Sequence, residues 1–96
     1  MSRERKKAEP VKQLENEKVI ITEWKFSPGA ETGWHVHEHD YVVVPLTSGR
    51  LLLETLHGEV SADLVIGQSY SREIGIEHNV INDNDFDLSF VEVELK

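Results

Sequence analysis

Ninety-six residues allow one domain with one core. Ten Lys and Arg stand against eighteen Asp and Glu, and five of the basic residues precede residue 13, so the body from Gln13 onward carries five basic and sixteen acidic side chains, a net of −11. Such a body repels phosphate backbones and argues against a nucleic-acid partner. The absence of cysteine excludes disulfides, thiolate ligands and a Cys nucleophile. No apolar run is long enough to span a bilayer, so no membrane partner is expected and the predicted location is the cytoplasm.

Residues 1–12 are polar and basic, contain Pro10, and read as a flexible charged tail ahead of a single domain over 13–96. From there the chain alternates and turns with almost nothing at helical period. Val19 to Phe26 reads as a strand with Ile20, Trp24 and Phe26 on one side, stopped by Pro28-Gly29. Thr32 to His37 reads as a short strand, and Tyr41 to Leu46 as a buried one whose Pro45 marks a bulge or an edge. Arg50 to Leu56 and Glu59 to Val65 form a hairpin about His57-Gly58. Ser69 to Arg72, Glu77 to Ile81 and Phe86 to Leu95 complete the set. Eight or so short strands and no helix point to an all-β sandwich or small barrel.

The chemistry lies in two segments, Gly33-Trp34-His35-Val36-His37-Glu38-His39-Asp40-Tyr41 and Gly75-Ile76-Glu77-His78-Asn79. His35 and His37 are two apart on a strand, so both imidazoles leave one face. With His78 on a second strand, three imidazoles are available for a divalent metal. Trp34 has the opposite parity and is expected outside. His39 reads as an exposed loop residue, and His57 as a turn residue.

The two segments resemble the motifs of the cupin superfamily. Its first motif runs G-x5-H-x-H, three or four residues, E, six residues and G, and here Gly29, His35, His37 and Gly49 match. Its second runs G-x5-P-x-G-x2-H-x3-N, matched by Gly67, Gly75, His78 and Asn82, with Glu73 in the proline slot. The resemblance covers residues 18–96 and implies an antiparallel jelly-roll barrel. It also implies His35, His37 and His78 as ligands of one divalent ion: iron, nickel, manganese, copper or zinc. The family's glutamate ligand is missing. Length places its slot at Val42 and strand parity places it at Tyr41, while Asp40, His39 or water are the other candidates for a fourth ligand. Tyr41 is thus a candidate ligand, hydrogen-bond donor or catalytic acid.

The tract also looks like that of short cupins associated with beta-alanine breakdown. The expected partner is a small organic metabolite, and oxygen insertion, isomerisation and lyase reactions all occur within the resemblance. A metal-free or structural-metal binding module without catalysis is the alternative. A homodimer is also expected, with Val19, Ile21 and Trp34 as outer contact positions.

Overall fold

The computed structural model describes residues 4–96. Its strands are β1 (Glu9–Glu15), β2 (Val19–Phe26), β3 (His35–Val36), β4 (Asp40–Pro45), β5 (Gly49–Thr55), β6 (Gly58–Leu64), β7 (Tyr70–Arg72), β8 (Glu77–Asn82) and β9 (Leu88–Leu95). They form a five-stranded sheet of order β1-β2-β9-β4-β7 and a four-stranded sheet of order β3-β8-β5-β6. Every strand pair is antiparallel. This is the jelly roll, two sheets enclosing one interior. No helix among the described residues is long and apolar enough to cross a membrane.

Register explains how the interior is sorted. On the five-stranded sheet Ile20, Glu94, Tyr41 and Arg72 share one row, and Thr22, Glu92, Val43 and Tyr70 the next. Trp24, Phe90 and Pro45 form the third row, and Phe26 opposes Leu88 in the last. On the facing sheet His35, His78 and Thr55 stand in line, followed by Val80, Leu53 and Val60, then Asn82, Leu51 and Ala62. The interior is therefore polar at one end and apolar at the other. The apolar end is closed, with Phe26, Leu88, Asn82 and Pro45 all under 2% exposed.

A buried asparagine belongs to that closed end because it ties two loops. The Asn82 amide nitrogen lies 3.3, 3.1 and 2.8 Å from the carbonyls of Phe26, Ser27 and Phe86. Its Oδ1 accepts from the Asn84 backbone N–H at 3.1 Å and from Asn84 Nδ2. Buried polar atoms are costly only when unpartnered, and here both ends of the amide are used.

Two expectations need correction. Residues 9–12 are not a tail: they lie in β1, which pairs with β2 from Glu9↔Lys25 to Glu15↔Ile20 across an irregularity between Lys12 and Leu14. Just before it, Ala8 is buried and its N–H donates to the Glu31 carbonyl at 2.8 Å. All seven β1 side chains are exposed, so the strand is held by its backbone ladder and leaves no apolar alternation to read. Between Thr32 and His37 only His35 and Val36 are strand, because Gly33 turns the chain at φ +88°. Pro45 ends β4 opposite Phe90, and β4 runs without a register shift from Asp40↔Leu95 to that pair.

Candidate metal centre

The three predicted histidines meet. His35 is on β3, and His78 is its direct cross-strand partner on β8. His37 lies just beyond β3, where its N–H donates to the Ile76 carbonyl at 2.8 Å and its carbonyl accepts from Gly75 N–H at 2.9 Å. His35 Nε2 is 3.0 Å from His37 Nε2, which is 3.1 Å from His78 Nε2. Two imidazole nitrogens about 2.1 Å from one ion and at right angles to each other stand about 3 Å apart. The donor set thus fits a divalent transition metal, and among the described residues these three form the cluster able to hold one.

Protonation favours the same reading. Burial, and then the charge of His35 and His78, holds His37 down at about 3. Burial, then His35, lowers His78 to about 4. Both are neutral near pH 7, the form that offers a lone pair. His35 has its tautomer fixed: Nδ1 lies 2.9 Å from the Gly33 carbonyl. A carbonyl only accepts, so Nδ1 carries the proton and Nε2 is left free.

The missing glutamate has a structural answer in part. Tyr41, not Val42, faces the interior and is buried. Its ring stacks on His37 with centroids 3.8 Å apart and planes 16° from parallel. Burial, with smaller contributions from Glu92 and Tyr70 against Arg72, raises its hydroxyl above the usual phenol value. Asp40 points elsewhere: its Oδ1 accepts from Ile74 N–H at 2.8 Å. His39 is not an isolated loop histidine; its Nδ1 lies 3.2 Å from Glu94 Oε2. Neither belongs to the three-histidine cluster. Trp34 is outside as expected, half exposed, with Nε1 donating to Glu77 at 3.0 Å.

The histidines open onto a cavity of about 610 Å³. Val43, Leu51, Leu53 and Phe90 give it apolar walls, and Trp24, Tyr70, Arg72, Glu92 and Glu94 line it too. Burial and the neighbouring Glu94 push Glu92 up to about 7, with the Trp24 indole opposing. These two acids were legible from parity alone, since Leu88, Phe90, Glu92 and Glu94 alternate along β9 and the first two are core residues. The Arg72 guanidinium lies 4.6 Å over the Tyr70 ring.

Residues 22–94 match the Cupin_2 cupin domain. The chain belongs to the cupin family. It is 59% identical over 92 residues to the beta-alanine degradation protein BauB of Pseudomonas aeruginosa, covering 96% of this chain and 97% of that one. It is similar to the crystal structure of a cupin domain from Bordetella pertussis, with 55% identity, a TM-score of 0.97 and 99% of each chain covered. An RmlC-like cupin from Methanocaldococcus jannaschii with a double-stranded β-helix fold shares the fold at 17% identity and a TM-score of 0.77, over 99% of this chain and 85% of that one.

Proposed function

We propose that this small cupin holds one divalent transition-metal ion through Nε2 of His35, His37 and His78 and presents it to a small organic metabolite in the adjoining cavity. The observation that carries the reading is the convergence of three imidazoles, at 3.0 and 3.1 Å, on a cavity of about 610 Å³. A bound divalent ion would supply Lewis acidity toward a ligand oxygen or water. The 59% identity to a beta-alanine degradation protein supports a metabolite from the breakdown of a small amino acid.

The chain's own groups then divide the work. Polar ends of a ligand meet the histidine end of the interior, and its carbon skeleton lies along Val80, Leu53 and Val43. Tyr41 fixes the plane of His37 and keeps its hydroxyl protonated, so it has a hydrogen to donate to a ligand oxygen. Glu92, titrating close to neutrality, takes up or releases a proton at its carboxyl oxygen within the cavity.

Elemental analysis of the native-purified protein, beside a His35→Ala/His37→Ala double variant, tests this. About one equivalent of metal in the wild type, lost in the variant, is the expected result. No metal on purification, and none taken up from added nickel, iron, manganese, copper or zinc at neutral pH, would leave a metal-free binding barrel instead.

A further inference from the structure

The N-terminal basic residues and the histidine centre are joined by one continuous set of polar contacts. Asn79 is 4% exposed and sits beside His78, yet it points out of the cavity toward the other side of the sheet. Its Oδ1 accepts from Gly33 N–H at 2.9 Å. Its two amide protons are both spent on carboxylates, on Glu31 Oε1 at 2.7 Å and on Glu54 Oε1 at 2.8 Å. Gly33 also supplies, from the peptide group on the other side of its Cα, the carbonyl that receives His35 Nδ1–H at 2.9 Å. Thr32 closes the loop, its hydroxyl accepting from Val80 N–H at 3.1 Å and lying 2.9 Å from the Gly33 carbonyl.

Two carboxylates on one amide nitrogen repel each other, and something must offset that. Arg5 lies between them, its Nη1 3.5 Å from Glu31 and 4.0 Å from Glu54. Lys7 adds a second cation 3.8 Å from Glu31. The backbone holds this segment in place, with Glu31 N–H donating to the Lys6 carbonyl at 2.9 Å and Ala8 N–H to the Glu31 carbonyl at 2.8 Å.

We propose that Asn79 is a positioning residue for His35, and that Arg5 locks it by bridging Glu31 and Glu54, so that the N-terminal segment sets the metal affinity of the histidine centre. Without the cation one glutamate swings to water and the Asn79 amide is free to turn. Gly33 N–H then loses its acceptor, its carbonyl tilts, and His35 no longer holds its proton on Nδ1. The proposal rests on the metal reading for its effect on affinity, but not for its effect on the imidazole.

The test therefore has two readouts on Asn79→Ala, Arg5→Ala and the conservative Arg5→Lys. In metal-free protein, long-range proton–nitrogen NMR spectra report the His35 tautomer. Wild type and Arg5→Lys are expected to be Nδ1-protonated, and the other two variants mixed. In titrations with nickel against a competing chelator, Asn79→Ala is expected to weaken binding about tenfold or more, as loss of a partner behind a ligand does. Arg5→Ala is expected to weaken it about two- to fivefold, the scale of a part-exposed ion pair.

An unchanged His35 tautomer in folded Asn79→Ala and in Arg5→Ala overturns the proposal. Should Asn79→Ala fail to fold, Arg5→Ala decides alone. A wild type that binds no nickel while the tautomer shifts as expected sinks the metal reading and leaves the positioning role standing.

Discussion

Glu92 offers a sharp test of the electrostatics inside the barrel. Its carboxyl is held by burial and by Glu94 at about 7 against an ordinary 4.5. Between those values the folded chain keeps a proton that the unfolded chain has released, so the Glu92 contribution to stability is full below pH 4.5 and falls as pH rises toward 7. At about 1.4 kcal/mol per pH unit over that interval, the loss reaches about 3 kcal/mol above pH 7. Glu92→Gln keeps the shape and cannot ionise. We expect it to match the wild type at pH 4.5 and to be the more stable protein by up to about 3 kcal/mol at pH 8. His37 and His78 titrate in the opposite sense, costing stability as pH falls below their ordinary 6.5. They are common to both proteins and cancel in the difference. Urea unfolding followed by circular dichroism at pH 4.5, 6, 7 and 8, with chelator present, measures the gap. A gap that does not change with pH, or one that shrinks as pH rises, would refute the argument.

The stacking of Tyr41 on His37 predicts that Tyr41→Phe binds nickel within about twofold of wild type, whereas Tyr41→Ala loses about tenfold. Calorimetric titration decides, and a large loss in Tyr41→Phe would make the hydroxyl a ligand. Asn82→Ala orphans buried carbonyls of two loops and leaves the amide's space empty. We expect it to lose about 3 kcal/mol in urea unfolding, and a loss under about 1 kcal/mol would show that the loops re-pair elsewhere.

Much of this barrel was legible because its strands alternate. Val19–Phe26 was read to the residue, and the remaining strands apart from β3 and β1 within about two residues, the usual slack at element ends. The histidine centre followed from parity plus two motifs at fixed spacing. What sequence could not supply was anything held by backbone alone. The exposed strand β1 has no apolar face to betray it, and Arg5 to Ala8 dock on Glu31 through carbonyls and N–H groups that every residue shares. For the glutamate slot, motif length favoured Val42 and strand parity Tyr41. The unbroken pairing of β4 with β9 placed Tyr41 inside. Glu92 and Glu94 went unremarked as cavity residues although their parity with Phe90 was available, since acids at the end of a strand usually face water.

The sorting of the interior has a consequence for how the protein matures. Phe26, Leu88 and Asn82 knit the closed end, while the histidines gather at the other, where His35 is part exposed and Val36 and Glu38 stand in solvent. On the proposed metal reading, folding and metallation would then be uncoupled: the core at the closed end holds no donor of the histidine cluster. An ion held by those histidines would be exchanged at the rim of a finished barrel, without the chain having to unfold.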